Sequence, residues 1–201
     1  MFQICVSGAA RGKSVDEGIL LAYEAGRAIA KSGNMLINGA TIGLPHYAAL
    51  GAKQEGGMVV GLSPAQSKIE HVKKYKLPTD GYDAILYTGL HYVGRDTLLV
   101  ASCDAVISIG GRLGTLHEFT IAMEMDKPIG FLQGAGGVST EIMDIMNAAG
   151  RKPDKEVIFD DNAERLVDRM IRVLFEQYKE NIDIFTQEFA PEKVTFKPNK
   201  K

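Results

Sequence analysis

Along this chain, short apolar runs rich in β-branched residues alternate with longer stretches whose apolar positions recur every three to four residues. The alternation predicts an α/β domain, a mostly parallel, doubly wound sheet with helices on both faces. Strands are expected at Phe2–Val6, Met35–Ile37, Met58–Gly61, Ala84–Tyr87, Ala105–Ile109, Ile129–Leu132 and Glu156–Phe159. Helices are expected from Ser14 to about Lys31, then after Pro45, and over Gly89–Ser102, Thr115–Asp126, Val138–Ala149 and Ala163–Lys179. Ser14 and Glu17 have capping-box spacing, Gly33 supplies a left-handed stop, and Pro45 suits a first helical turn. Residues 62–82 read as an irregular connection, either a surface excursion or a lid. With no linker or repeat in view, residues 1–180 read as one domain. Residues 181–201 read as a polar tail whose Phe185, Phe189 and Phe196 are expected to dock on a neighbouring surface.

Three loops leave predicted strand ends with glycine in them: Ser7–Gly12, Asn38–Gly43 and Gly110–Thr115. Ligands of an open parallel sheet sit beyond the carboxyl ends of its strands. Glycine lets the backbone come close to a phosphate, and the following helix offers unpaired N–H groups and a positive dipole end. The loops therefore point to a phosphorylated ligand held by Ser7, Gly8, Gly39, Gly43, Gly110, Gly111, Arg112, Gly114 and Thr115. Thr115 is either a hydroxyl donor or a helix cap.

Two charges sit on apolar helical stripes. Glu118 shares a face with Ile121, Ala122 and Met125, and Arg95 with Leu98, Leu99 and Ser102. A buried carboxylate must be paired or line a wet cleft. The two residues are thus either each other's structural partners or both at the cleft, with Arg95 on phosphate or sugar and Glu118 at the reacting centre.

Composition narrows the partners. Apolar residues make up 45% and charged residues 24% of 201 positions, with a net charge of −2. That balance gives no electrostatic footprint for nucleic acid or an anionic membrane. No apolar run approaches the roughly 20 residues of a membrane span. The N-terminus enters a strand at once, so a cytoplasmic location is expected, with Cys5 and Cys103 as free buried thiols. The four histidines are far apart in sequence, and no metal or other cofactor is expected.

The segment from Arg95 through Gly110-Gly111-Arg112-Leu113-Gly114-Thr115 to Glu118, with the loop Gly39-Ala40-Thr41-Ile42-Gly43-Leu44, resembles the LOG family of Rossmann-like proteins. The resemblance covers the chain from the Ser7-Gly8 loop to about Leu132. It implies a nucleoside 5′-monophosphate phosphoribohydrolase, releasing the base of an AMP-like purine nucleotide and ribose 5-phosphate, with Arg95 and Glu118 in the catalytic positions. It also implies a homodimer or larger assembly, with the helix over 89–102 as a contact surface. Members usually carry Pro-Gly-Gly-x-Gly-Thr. This turn lacks the proline and has an extra residue, Asp96 replaces a lysine, His117 replaces a glutamate, and Pro45 replaces a methionine. One related branch resembles molybdenum-cofactor carriers, so the alternative is a non-catalytic nucleotide or molybdenum-cofactor carrier or sensor. A third reading, a DNA-processing module, conflicts with the acidic balance.

Overall fold

The computed structural model describes residues 1–151 and 156–179. Strands β1 (Gln3–Gly8), β2 (Met35–Asn38), β3 (Val59–Ser63), β4 (Ala84–Tyr87), β5 (Ala105–Ile109), β6 (Ile129–Leu132) and β7 (Val157–Asp160) form one sheet. Its order is β4-β3-β2-β1-β5-β6-β7, and every pairing is parallel. The central strands read as continuous apolar runs because both of their faces are covered; all five residues of β5 are buried.

Successive residues of β1 feed two cores. Ile4 and Val6 pack beneath α1 (Lys13–Lys31), α2 (Leu44–Gln54) and α7 (Ala163–Tyr178). Cys5 points the other way, to the layer of α4 (His91–Ala101), α5 (Leu113–Glu124) and α6 (Ile142–Ala148). The doubly wound architecture expected from the sequence is the one observed.

Local structure departs from the expected pattern in three places. Helix α1 begins at Lys13 behind Gly12, so Ser14 lies inside the first turn and caps nothing. Glu17 pairs with Lys13 instead, at 3.1 Å. A working side-chain cap, with a variant of the capping box whose carboxylate reaches the residue before the cap, lies in the 62–82 connection. The Ser67 side chain accepts from the Glu70 amide and the Glu70 carboxylate accepts from the Gln66 amide, opening α3 (Lys68–Lys73). Buried His71 then ties this connection to the sheet, between the Ser63 hydroxyl (2.8 Å) and the Pro78 carbonyl (2.8 Å). The carbonyl can only accept, so Nε2 carries a proton. The stretch expected as one helix over 138–149 is a 3-10 turn, Gly137–Thr140, followed by α6. Phe185, Phe189 and Phe196 lie outside the described residues.

Helices α1 and α2 touch backbone to backbone. A Cβ at Gly26 would fall 1.9 Å from the Ala48 carbonyl oxygen, and one at Gly51 would fall 2.0 Å from that of Tyr23. Gly26→Ala should therefore destabilise the fold. The alanine's helical gain of about 0.5–1 kcal/mol is outweighed by overpacking that costs about 1–3 kcal/mol or more. A thermal melt should show Tm lowered by several degrees, and a Tm equal to the wild type's would contradict the close approach.

Candidate active site

The chain runs outward from β1 to β4, then α4 carries it back so that β5 pairs with the other side of β1. Beyond that junction the β1 loop turns toward one face and the β5 loop toward the other, which opens a crevice. A cavity of about 230 Å³ occupies it. Ser7, Gly8, Ala9 and Ala10 line it from β1, and Gly39, Thr41 and Pro45 from the β2–α2 connection. Tyr92, Arg95 and Asp96 enter from α4, and Arg112, Gly114, Thr115 and Glu118 from the start of α5.

Of the residues singled out in the sequence, Ser7, Gly8, Gly39, Arg95, Arg112, Gly114, Thr115 and Glu118 meet at this cavity, whereas Gly43, Gly110 and Gly111 do not line it. Gly110 and Gly111 take φ of 58° and 99°, making the sharp turn that swings α5 across the end of β5. Their carbonyls are already engaged, Gly110 by the Ser139 hydroxyl (2.6 Å) and Gly111 by the Val138 amide (3.0 Å). Gly43 packs on the Ala9–Ala10 backbone.

The helix N-termini also differ in what they can offer. At α2 the Leu44 amide donates to the Ala9 carbonyl (2.9 Å) and Pro45 has no N–H, so this loop lends the cavity shape rather than donors. At α5 the first ladder bond runs from Leu116 to Arg112, and no side chain caps the end. Among the described residues, the amides of Leu113, Gly114 and Thr115 find no backbone acceptor. Because α5 opens at Leu113 rather than at Thr115, Thr115 lies inside the first turn and does not cap it.

The charges form one buried chain. Glu118 Oε2 accepts a hydrogen bond from the Ser7 hydroxyl, and Oε1 lies 3.8 Å from Arg95 Nη1. Arg95 Nη2 lies 3.3 Å from Asp96 Oδ1, and Asp96 Oδ2 meets His117 Nδ1 at 3.0 Å. Arg95, Asp96 and Glu118 are all buried, and the Arg95 Nε–H has no partner among the described residues. Burial, the largest cause, pushes the Glu118 carboxyl up to about 7. Arg95 and the Ser7 hydroxyl pull it back, while the neighbouring Asp96 adds to the rise. A carboxyl poised there can take or give a proton near neutral pH.

Gly39 sets the place of Arg95. Asn38, fully buried, accepts from the Ala40 amide (2.8 Å) and donates to the Pro45 carbonyl (2.7 Å), which braces the loop. The bare Gly39 backbone then packs close against the guanidinium, where a Cβ would come 1.7 Å from Nη1.

Sequence reasoning missed Asp96 as a lining residue. The signal was present: the buried stripe of α4 is Arg95, Asp96, Leu99 and Val100, one step round from the stripe expected, and Leu98 is exposed. On α5 the stripe is Thr115, Glu118, Phe119 and Ala122, with Met125 largely outside it. Tyr92 lines the cavity, while Tyr87 packs edge-on against His71 at 5.8 Å. Among the described residues, no helix is long and apolar enough to cross a membrane.

Comparison with known proteins agrees with this frame. An uncharacterised protein of Archaeoglobus fulgidus is 36% identical over 133 residues, which is 66% of this chain and 81% of that protein. The solved structure of the structural-genomics target TM1055 superposes with a TM-score of 0.73 at 26% identity, covering 86% of this chain and 99% of that one. The molybdenum cofactor binding protein of the phototrophic bacterium Rippkaea orientalis gives 0.67 at 26% identity, over 86% of this chain and 96% of that one. The sequence model of one family matches residues 1–167, which span the whole crevice, and the chain belongs to that family, the SLOG cluster4 family.

Proposed function

We propose that this protein hydrolyses the N-glycosidic bond of a purine nucleoside 5′-monophosphate, giving the free base and ribose 5-phosphate. The observation that carries the reading is the Glu118 carboxyl, buried beside Arg95 in the crevice and pushed up to about 7. A protein that only holds its ligand has no need of such a group, whereas glycosidic cleavage needs one to stabilise positive charge on the sugar or to activate water. The free amides at the start of α5 and the exposed Arg112 suit the 5′-phosphate. The unpartnered Arg95 Nε–H suits a phosphate or ribose oxygen. Binding energy from the phosphate would hold the sugar in line with Glu118. The resemblance of the Arg95–Glu118 segment to LOG hydrolases supports the same chemistry, which uses only water and the side chains named. An assembly through the outer face of α4, where Val93 and Leu98 are exposed, fits the reading too.

The likeness to a molybdenum cofactor binding protein favours a second reading, a carrier of a nucleotide or molybdenum cofactor. Arg112 makes no ion pair among the described residues and would suit a more highly charged ligand.

Incubation of the pure protein with AMP, followed by chromatography, separates the two. Free adenine in proportion to enzyme is the expected result. A rise in Tm with AMP but no adenine would move the balance to the carrier.

A further inference from the structure

We propose that Asp96 reads the sugar of the ligand, its carboxylate accepting a hydrogen bond from the ribose 2′-hydroxyl, so that the site selects ribonucleotides over 2′-deoxyribonucleotides. The assignment rests on the reading above for its ligand, a nucleoside 5′-monophosphate. Its basis is the pair of acceptors in the cavity wall. Asp96 of α4 and Glu118 of α5 are both buried there. Asp96 Oδ1 lies 3.3 Å from Arg95 Nη2 and Glu118 Oε1 lies 3.8 Å from Nη1, so the end of one guanidinium sets the two side by side. A sugar that meets one presents its next carbon to the other.

Asp96 is placed to accept. Its Oδ2 meets His117 Nδ1 at 3.0 Å, so a guanidinium and an imidazole flank it, neighbours that favour the carboxylate and hold it still. A carboxylate has about four acceptor positions over its two oxygens, and these two contacts leave capacity for the cavity it lines. The carboxylate repels a phosphate, and an AMP-like ligand otherwise offers it the ribose hydroxyls and the base amine. With Glu118 at C1′, the nearest of these donors is the hydroxyl on the adjoining carbon, C2′. That bond matters most during cleavage. As positive charge grows on the sugar the 2′-hydroxyl becomes a stronger donor, and an anionic acceptor gains most from it.

The test removes the hydroxyl from the ligand and the charge from the protein. Wild-type protein should cleave AMP about 10²-fold better than 2′-deoxy-AMP in kcat/KM. Without an enzyme the deoxy compound is the easier to cleave, because an oxygen on C2′ withdraws electrons from the cationic sugar, so this preference can come only from the site. Asp96→Asn, whose neutral amide accepts about half as strongly, should lose about 10- to 10²-fold on AMP and stay within several-fold of the wild type on 2′-deoxy-AMP. The second rate shows that Arg95 and Glu118 remain in place in the variant. 3′-Deoxy-AMP, which keeps the 2′-hydroxyl, should follow AMP in both proteins. Equal losses on AMP and 2′-deoxy-AMP would make Asp96 a support for Arg95 alone and overturn the assignment. So would a wild type without preference, or an Asp96-dependent preference for the 3′-hydroxyl instead. Wild-type protein that releases no adenine from AMP removes the hydrolase reading, and the Kd values then decide for Asp96. It stands if AMP binds about tenfold tighter than 2′-deoxy-AMP and Asp96→Asn erases the difference, and it falls if the two bind alike or neither binds.

Discussion

Glu118→Gln should cut adenine release from AMP by about 10³-fold or more while AMP affinity changes only a few-fold. The amide keeps the size of the side chain and can still meet Ser7 and Arg95, but it can neither take a proton from water nor place a negative charge beside a cationic sugar. In the wild type the group must be ionised to act, and burial holds its pKa at about 7. The acid limb of kcat/KM should therefore fall tenfold per pH unit below about 7, and the variant's small residual rate should lack that limb. Turnover in Glu118→Gln equal to the wild type's would take this residue out of the mechanism.

The same substitution should have an opposite effect on stability. A carboxyl whose folded pKa stands at about 7, against 4.5 when free, binds more protons in the folded state between those values. Folding stability then falls as pH rises through that window and levels off above it. The shift corresponds to about 3 kcal/mol at 1.36 kcal/mol per unit. Glu118→Gln cannot ionise, so at pH 8 it should melt higher than the wild type by several degrees, and the gap should close near pH 5. A catalytic carboxyl kept at a cost to stability is a familiar bargain of active sites.

What the sequence made legible was whatever periodicity or backbone geometry writes into single residues. The parallel sheet followed from strands apolar on both faces, such as Ala105–Ile109, and the sharp turn from Gly110-Gly111. Arg95 and Glu118 stood out because charge on an apolar stripe needs a reason. Less legible was whatever depends on a partner far along the chain. Asp96 looked like a change of charge beside Arg95; only the packing of α4 on α5 brings it to His117 and into the cavity. Ser14–Glu17 and Ser67–Glu70 have the same spacing, but the cap of α1 is Gly12, two residues before Ser14, which leaves the first pair nothing to cap. Gly39 and Gly43 looked alike in sequence, yet one lies against Arg95 and the other against the Ala9–Ala10 backbone.

That difference makes Gly39→Ala the sharper probe of how the site is held. Gly39 is not among the residues with positive φ, so an alanine suits its backbone and its effect must pass through what the new methyl meets. What it meets is the Arg95 guanidinium, 1.7 Å from the built Cβ. A side-chain end can move, so the fold should survive with a modest loss of Tm. The guanidinium cannot move without leaving Glu118 and Asp96, and a displacement of about 1 Å at a reacting centre can cost about 10²-fold in rate. Gly39→Ala should accordingly lose about 10²-fold in kcat/KM for AMP. The loss should also vanish in a background that lacks the arginine: Gly39→Ala with Arg95→Ala should be no slower than Arg95→Ala alone. Additive losses in that double-mutant cycle would mean that Gly39 serves the ligand directly, with the guanidinium free to settle elsewhere.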